Sequence, residues 1–305
     1  MEAVELETMS KQGHEGRLRY DRYVRYFFFV SALLMTVIIA SIIIFVGQQG
    51  LQTFLEVSPW EFFFSSKWDP VEGSYGALSF ILGSVYVTLL AVVLGAPLGL
   101  GGAVFMAKVA PKWLRDILKP AVGLYMAIPS VVYGFIGLTV VVPFVREFFQ
   151  LSTGFGLFTA GAILAIMILP TVISISEDAL QAVPRSLEEA SLALGATRWQ
   201  TIWRVTLNAA KPGIFTAVIF GMARAFGEAL AIQMVVGNSA VIPTSLTTPA
   251  ATLTSVLTMG IGNTVMGTVS NNVLWSLALV LLLMSLGFNM LVKFITRERK
   301  RNYER

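Results

Sequence analysis

Long apolar stretches constrain this chain more than any other feature of its sequence. Each is about 20 residues long or longer, which is what an α-helix needs to cross the hydrocarbon core of a bilayer. Because backbone groups in lipid must be hydrogen-bonded within their own segment, we expect every stretch to be helical. The predicted spans cover residues 26–46, 77–107, 117–143, 157–176, 213–236 and 273–295. The sequence therefore predicts an all-α polytopic membrane protein with six transmembrane helices.

Composition agrees with this prediction and excludes several kinds of chemistry. The 305 residues are 55% hydrophobic and only 13% charged, and a soluble domain of this size could not bury so much apolar surface. The first 25 residues are polar, and the apolar stretch after them is too long for a signal peptide, so we expect no cleaved leader. The chain has no cysteine and one histidine, His14. We therefore expect no disulfide, no metal site, no cofactor and no cysteine nucleophile.

The distribution of basic residues predicts the orientation of the spans. Of the 22 Lys and Arg residues, all but Lys67, Arg146 and Arg224 lie in the two tails and in the connections 108–119 and 177–212. Basic residues concentrate on the cytoplasmic side of membrane proteins, so both termini are predicted to be cytoplasmic. The external connections are then residues 47–76, 144–156 and 237–272. The expected organisation is a cytoplasmic tail (1–25), a first helix with an external loop (26–76), a transmembrane domain (77–295) and a basic cytoplasmic tail (296–305).

Arg224 and Glu228 are the only Asp, Glu, Lys or Arg residues well inside a predicted span. A charge at the centre of a membrane helix costs roughly 2.5–3.5 kcal/mol on insertion scales, so such residues are usually functional. Their i, i+4 spacing predicts that they share one helix face. Three interpretations remain open at this point: a structural ion pair, passage of an anion along Arg224, and a gate in which Glu228 occupies the arginine until an anion displaces it.

The connection over residues 178–212 is long and amphipathic. Pro184 precedes a predicted short helix in which Ser186 is the expected N-cap and Glu189 completes a capping box. Gly195 fits a helix C-cap or turn, and a second helical stretch follows before Pro212. On these features alone, the segment could be an interfacial helix pair lying on lipid headgroups.

The pattern Glu189-Ala190-Ser191, with Gly195 six residues after the glutamate, resembles the EAA loop of ABC importer permeases. Ser191 replaces an alanine of that pattern, and Asn208 stands where proline is usual. Similarity extends over residues 50 to 240 and includes AIPSVVYGFIGL, ILPTVISISEDALQAVP and ARAFGEALAIQMVVGNS. In these stretches the chain looks like the PstC-type permease subunit of phosphate ABC importers.

The resemblance implies a type I ABC importer permease fold, with a cytoplasmic coupling helix between helices 4 and 5. It assigns contact with the ATPase to Glu189, Ala190, Ser191 and Gly195. It assigns phosphate translocation to Arg224 and Glu228, which match the R-A-x-G-E element of the family. The chain would be half of the pathway and a transport subunit without catalytic residues in a prokaryotic plasma membrane. The absence of a P-loop motif agrees, since ATP hydrolysis then belongs to another subunit.

The partners implied by the resemblance are a PstA-type second permease, two copies of an ATP-binding subunit, an external phosphate-binding protein and the lipid bilayer. Nucleic acid is not expected as a partner. Two alternatives remain: a permease for sulfate, molybdate or phosphonate, and a signalling module that reports phosphate status.

Smaller features predict details of the fold. Pro97 predicts that the over-long second span is tilted or broken, and Pro129 and Pro170 are expected to interrupt spans three and four. Small residues in GAPLGLGG (95–102) predict close helix packing, as do Gly221 and Gly227. The external connection 237–272 is polar without being charged, so we expect a re-entrant or lid-like helix near Ala250–Met259, or else a loop that docks the binding protein.

Overall fold

The computed structural model describes the backbone of residues 2–303 and the side chains of residues 22–290. Contacts divide the chain into two compact units, Met1–Gln49 and Gly50–Arg305. The first unit belongs to the long helix α1 (Glu2–Gln52), whose apolar side chains from Phe27 to Ile44 are exposed. Exposed apolar side chains over this length are expected for a helix surrounded by lipid.

The second unit is mostly helical. Its helices are α2 (Pro59–Phe64), α3 (Leu78–Val104), α4 (Lys112–Met126), α5 (Ser130–Ile136), α6 (Val142–Phe148), α7 (Leu157–Gln181), α8 (Arg185–Ala193), α9 (Arg198–Thr201), α10 (Leu207–Phe226), α11 (Leu230–Val235), α12 (Leu253–Gly260) and α13 (Val269–Tyr303). Three π-helical segments follow α3, α5 and α9, at Phe105–Val109, Gly137–Val141 and Ile202–Thr206. Two short antiparallel strands, β1 (Trp68–Asp69) and β2 (Ser74–Tyr75), form a hairpin before α3.

Within the described residues, six helical stretches are long and apolar enough to cross a membrane, which confirms the predicted number. They are Arg22–Leu55, Leu78–Val109, Ser130–Phe148, Leu157–Gln181, Arg198–Phe226 and Val269–Met290. The predicted start of the third span at residue 117 is wrong. Pro129 adopts an extended conformation and starts a new helix at Ser130, because a proline disfavours a helical residue before it. The segment before it forms the separate amphipathic helix α4.

The second span is not broken at Pro97. Helix α3 continues through this residue to Val104 and then becomes π-helical. A Cβ atom added to Gly99 would lie 2.8 Å from Cβ of Val172, and one on Gly95 would lie 2.8 Å from Cγ1 of Ile168. These distances confirm the predicted close packing of the small residues, here against α7. We attribute the unbroken helix to this packing, which offsets the hydrogen bond that proline cannot donate.

Helix α7 forms the centre of the main hydrophobic core. Leu164, Ile168 and Val172 are buried there against side chains of α3, α10 and α11. The helix runs without interruption through Pro170, so the predicted interruption of span four is wrong. The core holds α3, α7 and α10 together and thereby positions the residues of span five.

A second cluster packs around α12, the helix predicted near Ala250–Met259. Thr252 caps this helix and forms a capping box with Ser255. The N–H of Leu253 donates to Oγ of Ser84, 2.9 Å away on α3. A Cβ on Gly83 would lie only 2.1 Å from the carbonyl oxygen of Ala251. A helix at the predicted place is therefore confirmed, while its re-entrant or lid-like role stays a prediction; glycine at position 83 is what allows its N-terminal approach to α3.

Candidate translocation and coupling sites

The fifth span is interrupted at the pair of charged residues that the sequence singled out. Helix α10 ends at Phe226, and α11 begins at Leu230. The prediction of one continuous span over 213–236, with Arg224 and Glu228 on one helix face, is therefore wrong. Glycine at position 227 favours an ending by about 1 kcal/mol relative to alanine. The hydropathy of the flanking residues conceals this break.

Glu228 lies in the break and accepts two hydrogen bonds there, one through its side chain and one through its backbone carbonyl. Its carboxylate Oε1 accepts from the N–H of Ala231 at 3.1 Å, so the side chain satisfies a free donor at the start of α11. Its carbonyl oxygen accepts from Oγ1 of Thr254 at 2.8 Å. Glu228 is thus bound both to α11 and to α12.

Arg224 lies half-buried in the last turn of α10. Its Nη1 donates to Oγ1 of Thr171 on α7 at 3.2 Å. Among the side chains that the structure describes, no carboxylate forms an ion pair with Arg224, including that of Glu228. A guanidinium carries five N–H donors. Its remaining donors make Arg224 a cation that is suited to receive an oxyanion.

Gly221 allows Arg224 to lie close to α7. A Cβ at this position would be 2.9 Å from Cγ2 of Val172, which confirms the packing predicted for Gly221. The close packing predicted for Gly227 is not found within this chain, because a Cβ there would meet only the carbonyl oxygen of Ala223, at an ordinary contact distance of 3.6 Å. Close approach within this chain therefore requires a glycine at 221 and does not require one at 227.

The predicted coupling segment forms helix α8, a turn and helix α9. Helix α8 begins at Arg185 directly after Pro184, without a side-chain cap. The prediction of Ser186 as N-cap in a capping box with Glu189 is therefore wrong, since Pro184 is the N-cap and the helix starts two residues earlier than predicted. The capping box of this region belongs instead to Thr197 and Gln200 at the start of α9. The T-x-x-Q pattern was a signal for it that the sequence analysis missed.

Gly195 ends α8 as predicted. Its φ is +82°, a conformation that costs a residue with a Cβ roughly 1–2 kcal/mol. Its N–H donates to the carbonyl of Leu192 at 2.9 Å, and the N–H of Ala196 donates to that of Ser191 at 3.2 Å. This pair of bonds is a Schellman motif. It gives the turn between α8 and α9 a defined shape.

The surface of α8 and the following turn combines acidic, small and apolar side chains. Glu189 and Ala190 are exposed. Ser191 Oγ is hydrogen-bonded to Oγ1 of Thr201 at 3.0 Å and so ties α8 to the second helical stretch. The exposed apolar side chains are Leu187, Leu192, Leu194 and Trp199. Contiguous apolar side chains on a protein surface are typical of a docking site.

Two lysines of the 108–119 connection form ion pairs with the segment around α8. Lys108 Nζ lies 2.5 Å from Oε1 of Glu188. Lys119 Nζ lies 3.3 Å both from Oε2 of Glu177 and from Oδ1 of Asp178. Burial lowers the pKa of Lys119, but hydrogen bonds and charge attraction from Asp178 and Glu177 outweigh this and raise it above its ordinary value. Glu177 was not among the predicted site residues, because the predicted fourth span ended one residue before it.

The fold and the interrupted fifth span define a multi-pass membrane transport protein, and comparison with known proteins gives its family. Residues 95–301 match the family model described as binding-protein-dependent transport system inner membrane component. The chain is 51% identical over 273 residues to "Probable ABC transporter permease protein YqgH" of Bacillus subtilis (strain 168), covering 88% of each. It is 32% identical to "Phosphate transport system permease protein PstC" of Pasteurella multocida (strain Pm70), covering 83% of this chain and 84% of the relative.

Solved structures share the fold at low sequence identity. The alginate importer structure has a TM-score of 0.61 at 17% identity, covering 92% of this chain and 98% of that one. The inward-facing methionine transporter MetNI has a TM-score of 0.58 at 21% identity, covering 76% and 99%. These values confirm the predicted permease fold of type I ABC importers.

The chain belongs to the binding-protein-dependent transport system inner membrane component family. It is therefore a permease subunit of an ABC importer, a transport component and not an enzyme. Members of this family act together with ATP-binding and substrate-binding proteins. With its six apolar helical stretches, the chain is a multi-pass protein of the inner membrane.

Proposed function

We propose that this chain is a membrane subunit of an ATP-driven importer of inorganic phosphate. The observation that carries the proposal is Arg224, a half-buried cation beside a break in the fifth span, whose hydrogen bond among the described side chains goes to one neutral hydroxyl. Relatives named as phosphate transport permeases cover most of the chain and support the same substrate.

The break in span five supports a substrate role for this region. Non-helical backbone at membrane depth is tolerated where it is buried in protein or lines a water-filled cavity. Interrupted membrane helices form the substrate sites of many transporters. The guanidinium of Arg224 presents donors in a planar fork that matches the oxygens of phosphate. We therefore assign to Arg224 the attraction of the anion during its passage.

The role that we assign to Glu228 is to prevent permanent binding. An arginine alone in a low-dielectric cavity would hold a phosphate anion too firmly for rapid release, since charge interactions strengthen as the dielectric falls. The carboxylate of Glu228, in the break four residues after Arg224, repels the anion. It also keeps the break in place through its bond to Ala231.

We assign contact with the ATP-binding subunit to Glu189, Ala190, Ser191 and Gly195. They lie on α8 and in the turn after it, next to exposed apolar side chains. A short helix that exposes both an acidic residue and leucines suits a groove on a partner protein better than a headgroup layer, which is itself anionic.

The proposed assembly contains a PstA-type second permease, two copies of the ATP-binding subunit and an external phosphate-binding protein. The proposed orientation places both termini in the cytoplasm, with 19 of the 22 basic residues on that side, since all but Lys67, Arg146 and Arg224 lie in the two tails and the two cytoplasmic connections. In this orientation α8 faces the ATP-binding subunits, and α12 faces the binding protein.

A permease for another oxyanion is the second candidate function. Sulfate, molybdate and phosphonate also present several oxygens to a guanidinium, so the geometry at Arg224 favours oxyanions as a class. The names of the relatives favour phosphate within that class.

Competition during transport tests the substrate. The complex of this chain with its second permease, ATP-binding subunit and binding protein would be reconstituted in vesicles, and ATP-dependent uptake of labelled phosphate measured. We expect unlabelled phosphate to abolish the signal and excess sulfate, molybdate or phosphonate to leave it unchanged. If one of these oxyanions inhibits phosphate uptake and is itself taken up in an ATP-dependent way, that oxyanion is the substrate in place of phosphate.

A further inference from the structure

The end of the second span and the helix α4 that follows it are both paired with the segment that leads into and forms α8. Lys108, in the π-helical end of the second span, is paired with Glu188 of α8. Lys119, on α4, is paired with Glu177 and Asp178 near the end of α7. We call these three ion pairs, made by two lysines, the lysine ties: the tie of α8 is Lys108 with Glu188, and the tie of α4 is Lys119 with Glu177 and Asp178.

Helices α8 and α4 depend on such polar contacts because they bury little of their surface. In the described part of the chain, neither the side chains of α8 nor those of α4 include a buried residue. Without buried side chains, α8 passes movement on through the backbone at its ends and through its ion pairs and hydrogen bonds. Helix α4 has, in addition, one packing contact near its C-terminus, where half-buried Tyr125 packs against the main core and the ring of Tyr133.

The tie of α8 reaches two spans at once. Glu188 Oε1 accepts from Nζ of Lys108 at 2.5 Å and from Oγ1 of Thr206 at 3.2 Å. Thr206 is fully buried and closes the π-helical segment Ile202–Thr206 at the start of α10. Lys108 likewise lies in the π-helical segment that ends the second span. One carboxylate of α8 therefore contacts two π-helical segments, and such segments occur frequently at functional sites.

The tie of α4 ends on a buried carboxylate. Glu177 is 1% exposed, and its second oxygen accepts from Nε2 of Gln181 at 2.6 Å. A buried carboxylate whose cation is removed is strongly destabilised, because nothing else compensates its charge. The attraction holds α4 against α7, and α4 leads through Pro129 directly into the third span.

We propose that Lys108 and Lys119 are positioning residues that carry movement of α8 to the second and third spans during transport. This inference rests on the proposed contact between α8 and the ATP-binding subunit. Displacement of α8 moves Glu188 and, with it, the end of the second span. Displacement of the end of α7 moves α4 and, with it, the start of the third span. Without the ties, ATP is still hydrolysed but less of the movement reaches the pathway.

The first test measures phosphate imported per ATP hydrolysed in the reconstituted complex. The variants are Lys108→Met, Glu188→Gln, Lys119→Met and the exchanged pair Lys108→Glu with Glu188→Lys. We expect each single variant to lower the ratio about fivefold or more, the lower end of typical coupling between sites. The ATPase rate stays near that of the wild type, and the exchanged pair recovers most of the ratio.

Controls separate this role from general damage. Lys112→Met alters an exposed lysine on the same connection and is expected to leave the ratio unchanged. If Lys108→Met does not assemble, Glu188→Gln decides, since it preserves shape and the acceptor for Thr206. An unchanged ratio in assembled Glu188→Gln and Lys119→Met would overturn the proposal.

A second test reads movement without using transport. The chain has no cysteine, so a cysteine introduced at Val109, an exposed residue at the end of the second span, can carry an environment-sensitive fluorophore. We expect an ATP-dependent change in its emission that is lost in Glu188→Gln. Retention of the full change in this variant would contradict transmission through the tie.

Cross-linking distinguishes failure of the ties from failure of the proposed function. A cysteine at Leu194, in the turn after α8, is expected to cross-link to the ATP-binding subunit. If it does so while the ties prove irrelevant to ratio and fluorescence, only the present inference fails. If Leu194 and its neighbours on α8 never cross-link, the proposed role of α8 fails, and the premise of the inference fails with it.

Discussion

Replacing Leu194 with alanine tests whether the turn after α8 docks into a partner. The side chain of Leu194 is 90% exposed, so its removal costs the folded chain almost nothing in packing. Burial of its carbons beyond Cβ in a partner's groove is worth roughly 2 kcal/mol, at about 0.8 kcal/mol per carbon. The variant is therefore expected to bind the ATP-binding subunit about 30-fold more weakly while keeping the thermal stability of the isolated chain.

The assay is the affinity of the purified permease pair for the ATP-binding subunit in detergent, measured by titration. Leu55→Ala is the matched control, because Leu55 is 85% exposed and lies in the proposed external connection. Equal affinities for wild type, Leu194→Ala and Leu55→Ala would refute the docking of this turn. A large loss of thermal stability in Leu194→Ala alone would refute the reasoning from exposure.

Three further predictions follow from single positions. Gly83→Ala places a Cβ 2.1 Å from the backbone oxygen of Ala251 and is expected to destabilise the chain by about 1–3 kcal/mol. Gly101→Ala on the same helix is the control, because a Cβ there meets no atom within 4 Å. Equal melting temperatures of the two variants would contradict this prediction. Gly195→Ala is expected to destabilise the turn after α8 by about 1–2 kcal/mol, because the residue has a φ of +82°. We expect the variant to bind the ATP-binding subunit more weakly. Unchanged binding would contradict a role of this turn in the contact. Because the pKa of Lys119 is raised in the folded chain, its tie stabilises the fold fully below pH 10.5 and is lost as the pH rises through the folded-state pKa. The free energy of unfolding is therefore expected to fall in that pH range for the wild type but not for Lys119→Met. Parallel pH profiles of the two proteins would contradict a stabilising tie.

The sequence predicted the features of this chain that depend on local composition. Six apolar stretches became six membrane-length helices, because hydrophobic length alone decides whether a helix can span a bilayer. The turn at Gly195 was predictable for a similar reason, since its conformation depends on one residue without a Cβ. The helix near Ala250–Met259 was predicted because the segment 237–272 is polar but uncharged.

Features that depend on breaks and on long-range packing were not predictable in this way. Hydropathy averages over about 20 residues and does not detect a break of three residues such as Gly227–Ala229, or one at Pro129. Arg224 meets Thr171, which lies 53 positions away. Such partners are set by the packing of α7 against its neighbours, which the spacing of residues along the chain does not specify.

The most direct test of the central claim is the initial rate of ATP-dependent phosphate uptake by the complex containing Arg224→Gln. Hydrogen bonds to a charged group contribute about 1.5–3 kcal/mol, so the rate is expected to fall at least about tenfold while the complex still assembles. Arg224→Lys, which keeps the charge but lacks the fork, is expected to lie between glutamine and wild type, and exposed Arg146→Gln to match wild type. Uptake at the wild-type rate in assembled Arg224→Gln would contradict the assignment of Arg224 to the phosphate pathway.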